Sequence, residues 1–597
     1  MDSAIINDPL RPSPSPKKHQ PKQQKLDGGD VHGESNHSRI EERLGIIQRD
    51  FYPPEMSNER CERYHKGELP RPFDLLESTI KDTAQDRQKI KVGESVVHWF
   101  KRDLRVYDNK ALSFASKKAK EGGVPLICMF IVSPQDYQAH MTSAPRVDFE
   151  LRTLEVLQRD LGEMGVPLYM ATIENRKEIP GHILEKCEEW GAKHVYCNIE
   201  YEVDESRRET KLTKMCLEKG INFTAVHDDV VIPPGALTTG AGNQYSVYSP
   251  WYRAWAKHIH EHPHLLNEAD PISPNPATTK QTFPHLFNLP IPTTPPNKLL
   301  TGTDRKRLTS LWPAGEHEAQ DRLQRFLATK ITKYKETRNL PAANSTSLLS
   351  VHFSSGTLAA RTAIRAARDS NTTSKLDGGN PGITGWISEL AWRDFYKHVL
   401  AHWPYVCMSK AFKYEYSSIR WSYDESAFQR WCDGQTGFPI VDAAMRQLRS
   451  MAYMHNRCRM IVGSFLAKDL LIDWRMGEKF FMEHLIDGDF GSNNGGWGFS
   501  ASTGVDPQPY FRIFNPFLQS EKFDPEGSYI RKWVPELEGV EGKAVHDPYH
   551  RGAGGEAERR GYPRPMVEHA VARKRALEVY KEGLGRGTAN LGGGVHN

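Results

Sequence analysis

"VPLICMFIV", Val124 to Val132, is a nearly unbroken apolar run rich in β-branched side chains and too short for a core helix. Four other runs share its texture: "VVHWF" (Val96–Phe100), "VPLYMA" (Val166–Ala171), "HVYCN" (His194–Asn198) and "NFTAV" (Asn222–Val226). Between them lie patterns such as "RVDFELRTLEVLQRDLGEMG" (Arg146–Gly165), with apolar residues at helical spacing. Short apolar strands alternating with helices predict a doubly wound, Rossmann-like parallel sheet covered on both faces. No GxGxxG follows the first run, so a standard nicotinamide-dinucleotide site is not supported. The crevice at the strand C-termini is still a place for a ligand.

The texture changes on both sides of this block. Residues 1–90 read as a disordered, basic, proline-rich extension, most plainly at "RPSPSPKKHQPKQQK" (Arg11–Lys25), which cannot bury a core. The α/β domain spans 91–230. Residues 231–311, with "SPNPATTKQTFPHLFNLPIPTTPP", read as an interdomain connector. Residues 312–540 are helical, with long periodic segments such as "GITGWISELAWRDFYKHVLAHW" and "IVDAAMRQLRSMAYMHNRCRMIVGSFLAKDLL". The tail, 541–597, leaves room for one helix at "PMVEHAVARKRALEVYKE". The architecture is thus an α/β domain followed by a larger all-α domain.

Composition narrows the function. The 597 residues are 38% hydrophobic and 26% charged with a net charge of only +4, so any nucleic-acid surface is a local patch. The 8 cysteines are scattered without a CxxC pair, against a zinc module and in keeping with a reducing compartment. No apolar run could span a bilayer, and the N-terminus lacks a secretory core. The histidine cluster "HIHEHPH" (His258–His264) reads as a solvated helix end, and no metal is assigned.

"HLIDGDFGSNNGGWGFSAST" (His484–Thr503) combines carboxylates, amides and an indole without a nucleophile, and matches no phosphate loop or zinc spacing. If Arg459 meets Asp487 across two helix ends, it holds that carboxylate ionised and leaves Asp489 to bind a ligand; a solvated turn is the alternative. "TSLLSVHFSSG" (Thr346–Gly356) is dense in hydroxyls, which either cap the following helix or cradle a phosphate. Glu389, Trp392, Arg393 and Tyr396 share a helix face, and Arg446, Arg449, Arg457 and Arg459 crowd another region. Such surfaces suit base stacking and phosphate contact, or a salt-laced helix pair.

"VVHWFKRDLRVYDNKAL" (Val96–Leu112) resembles the opening block of the photolyase/cryptochrome flavoproteins. "WISELAWRDFYKHV", "GFPIVDAAMRQL", "YMHNRCRMIVGSFLAKDLLIDWR", "HLIDGDFGSNNGGW" and "PYFRIFNPFLQSEKFDPEGSYIRKWVPEL" resemble its flavin-domain blocks in order, from about Val96 to Tyr580. The likeness is greatest to fungal class I cyclobutane pyrimidine dimer photolyases.

The resemblance implies FAD in the helical domain, held by Tyr334, Thr346, Ser347, Leu348, Leu349 and Ser350 and lined by Arg393, Arg459, Asp487, Asp489 and Asn493, the last facing flavin N5. It implies that light drives electron transfer from reduced FAD to a pyrimidine dimer in UV-damaged DNA, flipped out of the helix. Glu389, Trp392, Asn456, Arg457 and Met460 would meet the dimer, and Arg338 and Arg457 the DNA phosphates. Trp421, Trp474 and Trp497 match the family's electron-carrying tryptophans. His140, Asp204, Glu205 and Cys407 resemble the pattern that binds a methenyltetrahydrofolate antenna; a deazaflavin or an empty site is the alternative. "MHNRCRM" lacks the paired histidines of (6-4) photolyases. Phe499 replaces a tryptophan of some members, Tyr453 one near the flavin of bacterial members, and Met408 a lysine of some relatives. The resemblance also implies a monomer; the basic residues of Arg11–Lys25 point to a nuclear address, with the mitochondrion as an additional one. A cryptochrome-type photoreceptor of the same fold is the alternative function; Asn493 and the Glu389–Trp392–Met460 set speak against it.

Overall fold

Why does this sheet need helices on both faces? Its five strands, β1 (Ser95–Phe100), β2 (Leu126–Val132), β3 (Leu168–Thr172), β4 (Ala192–Asn198) and β5 (Asn222–Val226), pair wholly in parallel in the order β3-β2-β1-β4-β5. The computed structural model describes residues 56–505 and 512–590. Successive side chains of a strand point to opposite faces. Cys128, Phe130 and Val132 of β2 therefore pack with Val96 and Phe100 against the helices Lys110–Gly122 and Ala144–Glu163. Ile127 and Met129 pack with Val97 and Trp99 against Ile179–Glu189 and Val203–Glu218. Both faces are apolar, which is why the runs show no polar alternation.

The helical half is organised around one long helix, Pro381–His402. The Asn380 side chain accepts hydrogen bonds from the backbone N–H groups of Gly382 and Ile383 at 2.8 and 3.2 Å, and Pro381 opens the first turn. Such a cap is worth about 1 kcal/mol. Gly382 permits close packing, because a Cβ there would lie 2.2 Å from the Ile331 carbonyl oxygen. All eight cysteines are buried and unbridged. Among the described residues no helix is long and apolar enough to cross a membrane.

Three boundaries differ from those expected. Order begins well before residue 90: the helices Asn58–His65 and Pro72–Asp82 form a strap. Four of its apolar residues, Cys61, Tyr64, Phe73 and Leu76, are buried in the cluster that holds Tyr201, Val203, Tyr405 and Val406, so the order comes from the two domains it joins. Phe73 lies 5.7 Å from the Tyr201 ring and 6.2 Å from that of His402, and Trp403 Nε1 donates to His65 Nδ1 at 3.0 Å. The segment Arg11–Lys25 lies outside the described residues.

The expected connector is no loose linker, because its helix Tyr248–Glu261 buries Trp251 and Trp255 against Pro381–His402. The tail carries a short helix, Gly554–Arg559, besides His569–Asn590. It belongs to the helical core: Tyr580 donates to the Ala501 carbonyl at 2.7 Å, and His569 meets Asp469 at 2.5 Å. The His258–His264 segment is a solvated helix end, with the His258 and His262 rings stacked at 4.3 Å.

Candidate functional site

The helix Asn456–Ser464 and the turn after Trp474–His484 meet as their spacing predicts. Arg459 Nη2 donates to both carboxylate oxygens of Asp487, at 3.0 and 2.8 Å, while its Nε donates to the Met454 carbonyl. Asp489 accepts from the Ser492 N–H at 2.9 Å and so caps the helix Phe490–Ala501, which carries Asn493 and Trp497. Together these elements enclose a cavity of about 120 Å³ lined by Asn456, Arg459, Met460, Asp487, Asp489, Asn493 and Trp497 among others. Seven residues singled out in the sequence thus line one space.

Two partners of this cavity escaped sequence reading. Lys397, one turn past Arg393, donates to Asp489 at 2.7 Å, and Arg393 pairs with Asp229, which follows β5. Burial alone would raise the Asp489 pKa, but Lys397 and Arg393 hold it far below the usual carboxylate range. Asp489 is therefore a permanent anion, balanced by two buried cations. Asn493 gives one amide N–H to the Glu478 carbonyl at 3.0 Å, keeping its oxygen and second N–H for the cavity.

Beside this cavity the helix Pro381–His402 presents Glu389 and Trp392. Glu389 does not stand free: Arg338 pairs with it at 2.5 Å and lies over the Tyr334 ring at 5.5 Å. Two residues expected to meet different parts of a ligand therefore meet each other. Arg457 donates to Asn339 at 2.9 Å and sits over Phe523 at 4.4 Å. Arg446 and Arg449 are tied to Glu536 and Asp433, at 2.7 and 2.5 Å, which is the salt-laced alternative for that pair.

In the hydroxyl-rich segment, Leu348 adopts a left-handed φ of 55° just before the short helix Ser350–Ser355, whose start has no side-chain cap. Nor do its hydroxyls cap the next helix, Ala360–Asp369: Ser354 and Ser355 turn back to the Val351 carbonyl. Thr346 hydrogen-bonds Tyr453, whose ring lies 5.3 Å below the Arg459 guanidinium. Through Tyr453 the segment is tied to Arg459 of the cavity wall, and its Thr346, Ser347 and Ser350 are half-exposed, the donor set that an anionic, amide-bearing cofactor needs.

Comparison with known proteins gives this arrangement its family. Residues 96–272 match the family described as DNA photolyase, and residues 386–582 the FAD binding domain of DNA photolyase. The deoxyribodipyrimidine photo-lyase of Neurospora crassa is 60% identical over 555 residues, 91% of this chain and 90% of that one. The chain belongs to the DNA photolyase family. The mitochondrial deoxyribodipyrimidine photo-lyase of Saccharomyces cerevisiae is 33% identical, over 91% of this chain and 96% of that protein. A class III photolyase of Agrobacterium tumefaciens superposes with a TM-score of 0.69 at 32% identity, covering 82% of this chain and 97% of that one. The helical half is thereby a FAD-binding domain, and its donor set fits that cofactor.

Two further groups expected in a photolyase are placed as follows. Trp421, Trp474 and Trp497 are all buried. Trp497 lies 5.0 Å from Phe481 and 6.1 Å from Trp431, and Trp421 meets Tyr580 edge-on at 5.7 Å. Trp474 lines a narrow gap with Tyr396 and Asn494. In the α/β half, His140 lies 2.9 Å from Glu205, 3.2 Å from Glu202 and 3.5 Å from Asp204, and Arg176 pairs with Asp204 at 2.6 Å. Burial would lower the His140 pKa, yet Glu205 and Asp204 drive it well above the usual imidazole range. Burial and then Asp204 push Glu205 up to about 7. Cys407 is not in this ionic cluster; it is buried in the apolar cluster that includes Tyr201 and Val203.

Proposed function

We propose that this protein is a deoxyribodipyrimidine photo-lyase that repairs UV-damaged DNA with light. The observation that carries the reading is the shared cavity: Asn456 and Met460 line it for the lesion, and Arg459, Asp487, Asp489 and Asn493 for the flavin. When bound and reduced, FAD supplies the photoexcited electron that opens the cyclobutane ring and accepts it back. The protein needs no nucleophile; its residues bind, orient and exclude water.

Each residue then has a physical task. Arg459 grips both carboxylate oxygens of Asp487 and keeps them aimed into the cavity. Lys397 and Asp489 fix the start of the helix that presents Asn493 to flavin N5. Tyr334 and Thr346 to Ser350 would hold the cofactor's phosphates and flavin, with the chain turned at Leu348 by its left-handed φ. A DNA phosphate competes for Arg338, with Arg457 as a second anchor, and releases the Glu389 carboxylate to hydrogen-bond the dimer. Trp392 stacks on the flipped dimer. Trp421, Trp474 and Trp497, all buried, would form the route by which electrons reach a bound flavin.

Flavin-loaded, reduced protein should split dimers in irradiated DNA under blue light; flavin absorption without repair would refute the enzyme reading. Glu389→Gln should lower repair per absorbed photon by about tenfold, the scale of one charge-assisted hydrogen bond, while dimer-DNA affinity moves less than about threefold. Equal losses would make Glu389 positional.

His140, Asp204 and Glu205, without Cys407, suit a methenyltetrahydrofolate antenna, which a near-UV band beyond that of flavin would reveal. The basic segment Arg11–Lys25 supports a nuclear address, and the mitochondrial yeast relative supports a second one, testable by fractionation.

A further inference from the structure

Trp392 sits half-buried on the helix Pro381–His402. An indole in that position has several rotamers open to it, and a stacking platform works only if one is held. The holder comes from the segment that the prolines disguise as a connector. Tyr248, the first residue of the helix Tyr248–Glu261, lies parallel to Trp392, with ring centroids 3.6 Å apart and planes 9° apart. Phe395 closes one edge of the indole at 5.6 Å, and Tyr396 leans against it at 5.4 Å.

The same tyrosine reaches the turn before Glu389. Its hydroxyl donates to the Ser388 carbonyl at 2.7 Å and lies 2.8 Å from the Ser388 hydroxyl. Burial raises the phenol pKa, so the hydroxyl remains a donor at any working pH. Tyr248 is anchored from behind. Trp255, two turns along, donates to Asp394 at 3.2 Å, and Trp251 donates to His398 at 3.4 Å. The helix Tyr248–Glu261 is thus bolted along the back of the helix that reads the lesion, and one side chain touches both reading positions.

We propose that Tyr248 is a positioning residue for lesion recognition, its ring fixing the plane of Trp392 and its hydroxyl fixing the Ser388 turn that presents Glu389. This rests on the reading above, in which Trp392 and Glu389 face the dimer. Non-specific affinity comes from phosphate contacts, which Tyr248 does not make. Its removal therefore acts on discrimination between damaged and intact DNA.

The test uses full-length, flavin-loaded protein and two duplexes of one sequence, with and without a thymine dimer. Tyr248→Leu should weaken binding to the dimer duplex by about tenfold, the scale of one aromatic stack, and to the intact duplex by less than about twofold. Tyr248→Phe keeps the ring, so its discrimination should stay within about twofold of the parent, while repair per absorbed photon falls through the loosened Ser388 turn. Flavin absorbance per protein and the unfolding midpoint report that each variant is folded. In a Trp392→Leu background, Tyr248→Leu should cost no further discrimination, because its effect runs through the indole. Equal losses on both duplexes, or additive losses in the double variant, would overturn the proposal. If Trp392→Leu abolishes discrimination and Tyr248→Leu leaves it intact, only the proposal falls. If Trp392→Leu itself leaves discrimination intact, the reading of Trp392 falls and takes the proposal with it.

Discussion

Two charge-rich places, one at the joint between the halves and one inside the helical half, are built on opposite principles. At the C-terminal ends of the sheet, where doubly wound folds usually hold a ligand, Arg105 pairs with Asp228, and Arg361 of the helical half pairs with both Asp228 and Asp108. All four side chains are buried. Arg365 adds a third guanidinium 3.6 Å from Asp108, so both carboxylates are saturated, and Gly356 seals the joint: a Cβ there would lie 2.0 Å from the Arg102 carbonyl oxygen. In the helical half, Arg459, Asp487, Asp489 and Asn493 are held by protein partners on one side while lining an open cavity on the other. A charge cluster whose bonds are all internal is a fastener. One oriented on one side and open on the other is a binding site. The crevice that the fold usually offers to a ligand has been spent on holding the two halves together.

That contrast can be broken in three ways. Arg361→Ala leaves Asp108 and Asp228 buried and underpaired, and should cost about 3–5 kcal/mol in denaturant unfolding with no specific flavin effect. Arg459→Ala should behave in the opposite sense. It should lose less than about 2 kcal/mol, because Arg459 is itself partly exposed, but bind flavin about tenfold more weakly, read as absorbance retained after dialysis. If the two variants trade these phenotypes, the fastener and the site have been misassigned.

The smallest effect concerns pH. His398 is held neutral between the Trp251 indole N–H and the Ile232 carbonyl, and burial lowers its pKa to about 4. The unfolded chain therefore binds more protons than the folded one between pH 6.5 and about 4, so stability falls as pH drops through that window. The loss is about 1.4 kcal/mol per pH unit for this group. Asp108 titrates lower: Arg361 outweighs its burial, so its contribution persists until pH falls below the ordinary aspartate value. Acidification to pH about 5 should thus loosen the helical half before the joint, and His398→Gln should flatten that slope in thermal unfolding.

The parts legible in the sequence share a property: their partners are near in the chain or forced by periodicity. All five strands were readable, since a strand buried on both faces must be apolar throughout. Arg459 and Asp487 could be matched because two helices and one turn set their meeting. The strap was not readable. A few scattered apolar residues among many polar ones do not announce order, and Phe73 becomes a core residue only because Tyr201 and His402 converge on it. Tyr248 was hidden by the prolines that follow it, and Lys397 by attention to Arg393, although the i,i+4 spacing from Arg393 was there to be used.

Residue order by itself determined the doubly wound sheet domain, the helical half, the Arg459–Asp487 clasp and the family. Each follows from local periodicity or from a motif contained in one stretch of chain. Tertiary structure alone decided which charges are spent and which remain available. Arg338 turned out to be engaged with Glu389, and the sheet crevice turned out to be closed by Arg361, 253 residues beyond Asp108. The physical reason is that a charge's role depends on what neutralises it within a few ångströms, and those neighbours come from distant parts of the chain.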